Sequence, residues 1–236
     1  MHSSDFLRRQ LTRRGMIKTL AAGSAGALVA GVVAGCDDAS HAATPPPATP
    51  DEALEALRAG NRRFVDHEPR VRSTDEIERI WTEIAVGQAP FATVLGCADS
   101  RLAPEIIFDQ FLGDVFVVRE AGNIADSPTN LGSLEYAQVV LGSKLLLVLG
   151  HTSCGAVRAA FEDAAPGGNI DSIVAAIKPG IAGASDLDDA TRRNVVAVQR
   201  RIREQSSLLR DAESAGKIRI VGGVYTIRTG EVTFLD

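Results

Sequence analysis

The sequence predicts an α/β fold, with a mostly parallel central sheet flanked by helices, N-terminal helical arms and a C-terminal antiparallel strand. Three observations carry this expectation. Residues 91–96, 114–119 (through Val115, Phe116, Val117 and Val118) and 145–149 carry short apolar runs, the pattern of strands buried on both faces. Segments of helical character separate them, as parallel neighbours require. The last two runs, 218–227 and 232–235, are joined at Thr229-Gly230, a short connection open only to antiparallel neighbours.

Taken in order, Thr49-Pro50-Asp51-Glu52 starts a helix. Thr49 serves as N-cap, Pro50 takes the first helical position and Glu52 closes a capping box. This helix is expected to run to about Val65. Residues 73–76 repeat the device, and Ile77, Ile80, Trp81 and Ile84 then line one apolar face. Residues 104–109 predict a short helix, 130–141 a longer one and 154–162 another. Residues 188–215 predict one long helix with Val195, Val198, Ile202 and Leu209 on one side. No internal repeat is present.

Residues 1–42 are expected to be an address, with residues 43–236 forming a single domain. Arg13 and Arg14 precede an uncharged stretch, residues 19–35, rich in Ala, Gly and Val. This fits a bacterial twin-arginine export signal. The alternative is a membrane anchor helix, for which the glycines and alanines are weakly hydrophobic. Val33-Ala34-Gly35-Cys36 resembles a lipobox, which would put a lipid anchor on Cys36, whereas Ser40 and Ala42 would allow cleavage near Ala42. Residues 43–50, with four prolines, read as a linker. The expected location is therefore beyond the bacterial inner membrane, in the periplasm or on the outer face of that membrane. Residues 43–236 carry 20 basic and 27 acidic side chains, a balance that argues against a nucleic-acid partner.

Past residue 42 the chain holds only Cys97, Cys154, His67 and His151 as cysteines and histidines. The first strand ends in Cys97-Ala98-Asp99-Ser100-Arg101 and the third in His151-Thr152-Ser153-Cys154. Sites of open parallel sheets lie beyond the carboxyl ends of the strands, so two thiols and an imidazole arrive at one edge. Three such ligands suit zinc and leave a fourth position open, the arrangement of a catalytic site. From spacing alone, small buried cysteines or a Cys97–Cys154 disulfide remain open, as does a structural ion pair for Asp99 and Arg101.

C-x-D-S-R followed about fifty residues later by H-x-x-C resembles the β-class carbonic anhydrases. So do Ile106-Ile107-Phe108-Asp109-Gln110, Leu112-Gly113-Asp114, Phe116-Val117-Val118-Arg119, Ala121-Gly122-Asn123 and Gly132-Ser133-Leu134-Glu135-Tyr136-Ala137. The resemblance implies one Zn²⁺ per chain on Cys97, His151 and Cys154, with Asp99 and Arg101 as the catalytic pair. It also implies Asp99 as a fourth ligand in a closed state. The implied reaction is reversible hydration of carbon dioxide to bicarbonate and a proton, by hydroxide made at the metal. Two thiolates would cancel the charge of the ion, so activity is expected to rise towards alkaline pH. The alternatives on this scaffold are a non-catalytic zinc-binding bicarbonate sensor and a carbon disulfide or carbonyl sulfide hydrolase. A homodimer or homotetramer is implied, with the N-terminal helices reaching a second subunit. Gln110 is a candidate for lining the pocket, Tyr136 reads as packing and His67 as a solvated residue past a helix end. Ala98, Phe111 and Glu120 depart from the family pattern, and Glu120 adds a charge beside the Ala121-Gly122-Asn123 turn.

Overall fold

The structure, a computed structural model, describes residues 45–235. Arg13, Arg14, Cys36 and Ala42 lie outside the described residues. Among the described residues one five-stranded sheet runs in the order β2-β1-β3-β4-β5. Its members are β1 (Ala92–Gly96), β2 (Val115–Arg119), β3 (Leu145–His151), β4 (Arg219–Tyr225) and β5 (Val232–Leu235). β1, β2, β3 and β4 are mutually parallel and β5 is antiparallel to β4.

The interior strands read as apolar runs because both faces are covered. Every residue of β1 and β3 is buried. Along β3 the side chains alternate: Leu145, Leu147 and Leu149 join one core, and Leu146 and Val148 join the other, as the two-residue period of a strand dictates. Each such leucine is worth roughly 1.5–3 kcal/mol on burial, so β3 is the main apolar anchor of the fold. The first core is closed by α1 (Pro50–Val65), α3 (Pro104–Ile107), α5 (Gly155–Phe161) and α6 (Ile170–Ile177), through Leu57, Ile107, Val157 and Ile177. The second is closed by α4 (Pro128–Glu135), α7 (Leu187–Gln205) and α8 (Ser207–Ser214), through Leu134, Val195, Ile202 and Leu209.

α1 begins with the full reciprocal cap: Glu52 N–H donates to Thr49 Oγ1 at 3.2 Å, and Thr49 N–H donates to Glu52 Oε2 at 3.1 Å. It buries Ala53, Leu54 and Leu57 on its own chain. Asn61 then ties it to two other elements. Its Nδ2 donates to the carbonyls of Ile107 and Gly230, at 3.1 and 2.9 Å, and its Oδ1 accepts from Val232 N–H at 2.8 Å. α2 (Thr74–Ile84), capped by Ser73, buries none of its residues and leaves Trp81 56% exposed.

Four elements depart from the sequence expectations. β2, expected to be buried on both faces, is an edge strand whose residues are only partly buried, with Arg119 exposed. The helix expected over 188–215 is two helices, because Ser206 is extended (φ −115°, ψ 105°). The Ser206 hydroxyl donates to Glu135 Oε1 at 2.6 Å and accepts Leu209 N–H at 3.2 Å, capping α8. The helix expected over 130–141 starts at Pro128 and widens to a π-helical turn over Tyr136–Val140. α6 was not foreseen: it buries Val174 and Ile177 and continues into a 3₁₀ turn, Lys178–Ile181. No helix among the described residues is long and apolar enough to cross a membrane.

Candidate metal centre

Parallel register brings the three expected ligands together. Gly96 of β1 pairs with Leu149 of β3, so Cys97, one residue past β1, lies beside the end of β3 that carries His151. Cys154 follows three residues later as the N-cap of α5. One donor atom from each of Cys97, His151 and Cys154 lies within 4.8 Å of the others, and all three residues are buried. Both cysteines are free thiols, so the disulfide alternative is not the arrangement here.

His151 is turned for ligation. Its Nδ1 is 3.0 Å from the Thr152 carbonyl, a contact that only an Nδ1–H can satisfy. That tautomer leaves a lone pair on Nε2. Nε2 is buried with no hydrogen-bond partner among the described residues, an orphaned acceptor that a cation would complete. Thr152 is fixed in turn, its N–H donating to the Tyr225 carbonyl at 2.9 Å and its Oγ1 accepting from Ile227 N–H at 3.2 Å. Ser153 then takes a left-handed backbone (φ 57°) that carries the chain into Cys154.

The two thiols respond to each other. Cys97 is held low, at about 4, first by a hydrogen bond from Cys154 and further by His151 and the Gly122 and Asp99 amides, against the cost of burial. Cys154 is pushed up, first by that same hydrogen bond, then by burial and by the Cys97 charge, while the Val157 and Ala156 amides pull it back. One thiolate is readily formed, but a second beside it is costly unless a cation sits between them. Two buried sulfurs and one orphaned imidazole nitrogen are the donor set of a borderline-soft divalent ion with an open position. The residues therefore fit zinc.

Asp99 stands apart from this cluster. Arg101 Nε donates to its Oδ1 at 2.8 Å and Arg101 Nη2 to its Oδ2 at 2.7 Å, and the Arg101 amide adds 3.0 Å to Oδ1. These bonds hold the Asp99 carboxyl well below the usual carboxylate range. Asp99 Oδ2 is nevertheless only 3.8 Å from His151 Nε2, so the carboxylate borders the open side of the cluster without joining it. Arg101 is half exposed and also reaches the Ser153 carbonyl at 3.4 Å.

Arg119, read from sequence only as part of a motif, straps this loop. Its Nε donates to the Cys97 carbonyl at 3.0 Å and its Nη2 to the Asp99 carbonyl at 2.6 Å. The Gly122 amide donates to Cys97 Sγ at 3.3 Å. The other candidates fall outside the cluster. Gln110 Nε2 donates to the Phe108 carbonyl at 2.6 Å, and the Tyr136 ring packs at 6.4 Å from that of Phe116. His67 is exposed just past α1 with φ 59°. Of the departures, Phe111 lies under the Arg72 guanidinium at 4.6 Å. The exposed Glu120 uses its main chain to join β1 to the 121–123 turn: its N–H donates to the Gly96 carbonyl and its carbonyl accepts from Ala98 and Asn123.

Parallel strands delivering a Cys-His-Cys donor set to one sheet edge, with an Arg-held carboxylate beside it, define an α/β protein with a site that could hold a metal ion. Comparison with known proteins then gives the family. Residues 92–232 match the carbonic anhydrase family model. The chain is 40% identical over 200 residues to carbonic anhydrase 2 of Mycobacterium tuberculosis, covering 81% of this chain and 95% of that protein. It is 33% identical over 183 residues to a carbonic anhydrase of Pseudomonas aeruginosa, covering 67% and 79%. The solved β-carbonic anhydrase of Coccomyxa, in complex with acetazolamide, superposes with a TM-score of 0.61 at 28% identity, covering 80% of this chain and 87% of that one. The chain belongs to the carbonic anhydrase family, and its fold is that of the β-class.

Proposed function

We propose that this protein catalyses the reversible hydration of carbon dioxide to bicarbonate and a proton, with one zinc ion held by Cys97, His151 and Cys154. The observation that carries the reading is the buried cluster of two thiols and an unpartnered His151 Nε2, bordered by a carboxylate that Arg101 keeps ionised. Zinc, when bound, supplies the Lewis acidity that makes a nucleophile from water under mild conditions. The remaining work falls to the chain. Asp99 Oδ2, facing the cluster at 3.8 Å from His151 Nε2, accepts a hydrogen bond from the attacking hydroxide and aims its lone pair at the carbon of carbon dioxide. Arg101 binds both oxygens of Asp99, so the carboxylate stays charged and stays out of the ligand set in this arrangement. Arg119 holds the main chain of Cys97 and Asp99 in one piece, which fixes the ligand and the aiming group relative to each other.

The unburied α2, with Trp81 exposed, supports assembly into a homodimer or homotetramer. Two β-carbonic anhydrases of Sordaria macrospora, described as tetrameric, share the fold at 23% identity and a TM-score of 0.61, covering 77% of this chain and 96% of that one. The twin arginines and the uncharged stretch after them support export across the inner membrane, followed either by lipid attachment at Cys36 or by cleavage near Ala42. Stopped-flow carbon dioxide hydration and metal analysis on the purified protein test the reading together. One zinc per chain with hydration activity is expected. Zinc without hydration would overturn the enzymatic reading in favour of a sensor, and hydrolysis of carbon disulfide or carbonyl sulfide faster than hydration would reassign the substrate.

A further inference from the structure

We propose that Asn194, on α7, is a positioning residue for the metal centre: by holding the Gly122 carbonyl it keeps the Gly122 amide on the Cys97 sulfur. The inference deepens the zinc reading above and rests on it. Asn194 Nδ2 donates to the Gly122 carbonyl at 2.9 Å, and the Gly122 amide donates to Cys97 Sγ at 3.3 Å. Asn194 is 2% exposed, so its bond to the turn is made out of bulk solvent.

The physical need lies in Gly122. It is left-handed (φ 72°, ψ 18°), and the next residue, Asn123, is left-handed too (φ 46°). A side chain at Gly122 would meet Ile177 Cδ1 at 2.6 Å, so glycine is required. Glycine, however, has the widest backbone freedom of any residue and no side chain to restrain it. The peptide after it is held on one side by the Asn123 N–H, which donates to the Glu120 carbonyl at 2.8 Å, and Asn194 holds its other side, the Gly122 carbonyl, so that both ends of that peptide are fixed and the Gly122 amide keeps its aim. α7 makes that tie from a fixed base. Val195, next to Asn194, packs so close to β3 that its Cγ2 lies 2.6 Å from where a side chain on Gly150 would begin. Asn194 cannot follow the turn if the turn shifts, so it holds the turn in place. An amide pointed at a thiolate stabilises its negative charge and moderates how strongly the sulfur donates to a metal. Asn194 thus acts on the metal centre from α7 without touching a ligand.

The test uses the full chain loaded with Co²⁺, whose sulfur-to-metal charge-transfer band reports the donor strength of the thiolates. Asn194→Leu keeps the size and removes the donor. The band should move to longer wavelength, because a thiolate that has lost an amide hydrogen bond gives up its electrons more easily. Thr191→Val is the control: it lies one turn earlier on α7 and loses a buried bond, Oγ1 to the Leu187 carbonyl at 2.9 Å, with no link to Gly122. It should leave the band where it is. An unchanged band in folded Asn194→Leu, or an equal shift in Thr191→Val, overturns the proposal. If Asn194→Leu does not fold, Asn194→Ser, too short to reach the carbonyl, carries the same expectation. In the ¹¹³Cd-loaded wild type the Gly122 amide proton should couple to the metal, and no coupling overturns the proposal as well. A wild type that binds neither Co²⁺ nor zinc would instead overturn the metal reading itself, and this inference with it.

Discussion

Replacing Gly60 by alanine sets two effects of opposite sign against each other. In an open helix interior alanine is favoured over glycine by up to ~1 kcal/mol. On α1 the new Cβ would stand 1.7 Å from the Phe108 carbonyl oxygen and 2.6 Å from its carbon. These are backbone atoms at the end of α3 and cannot rotate away. Restoring a carbon–oxygen contact of about 3.3 Å requires α1 to withdraw by about 1.5 Å. The neighbouring Asn61 makes buried bonds of 3.1, 2.9 and 2.8 Å to Ile107, Gly230 and Val232, and a shift of that size breaks them. At about 1 kcal/mol net each they outweigh the helix gain, and Leu54 and Leu57 lose contact as well. The expected net loss is about 2–3 kcal/mol, or roughly 5–10 °C in Tm for a domain of this size. Guanidinium denaturation of the zinc-loaded protein reads it. Gly132→Ala is the control, because nothing lies within 4 Å of a Cβ at that exposed position in α4, and it should be neutral or stabilising. Gly60→Ala as stable as wild type would refute the contact argument.

Asp99→Asn and Arg101→Ala should each lower hydration turnover by about a hundredfold while zinc stays bound, as stopped-flow assay and metal analysis on the same samples would show. Cys154→Ser should instead lose zinc, and activity with it. Burial raises the Asp114 carboxyl above its ordinary value, so its effect on stability is most favourable below about pH 3.9 and is lost as pH rises through the folded value. Asp114→Asn should therefore be more stable than wild type at pH 7, the gap closing as the pH is taken below about 4; equal denaturation midpoints at pH 7 would contradict this. Arg13→Lys with Arg14→Lys should leave the enzyme in the cytoplasm, and fractionation of the bacterial cell would detect export of the variant if the signal reading is wrong.

The sheet and the meeting of Cys97, His151 and Cys154 were legible because both rest on local patterns. Apolar runs at 91–96 and 145–149 sit directly before Cys97 and near His151, so chain order and the rule for parallel sheets place the ligands. The helix break at Ser206 was hidden because Val195, Val198, Ile202 and Leu209 keep helical spacing across it. Its cause is a long-range bond to Glu135, 71 residues away. The π-helical turn at Tyr136–Val140 inserts a residue without disturbing the apolar pattern. α6 is short, and Gly167, Gly168 and Gly180 around it read as loop. The supporting residues Arg119 and Asn194 were missed for a related reason. Both act on main-chain atoms, so their partners leave no mark in the sequence, and Asn194 is 72 residues from Gly122.

The pairing of Gly96 with Leu149 also bears on how the chain is made. During synthesis Cys97 emerges long before Cys154 exists, and β3 must pair with β1 before the three side chains meet, with β4 (Arg219–Tyr225) added to the far side of β3 afterwards. A slip of one residue between β1 and β3 would displace the ends by about 3.3 Å and turn every side chain to the opposite face. His151 would then point away from Cys97, and an ion held by the remaining thiols would be lost to any competing chelator. If the site holds zinc as proposed, retention of the metal would gauge this alignment, and the rate of metal uptake during refolding would time the pairing of β3 with β1.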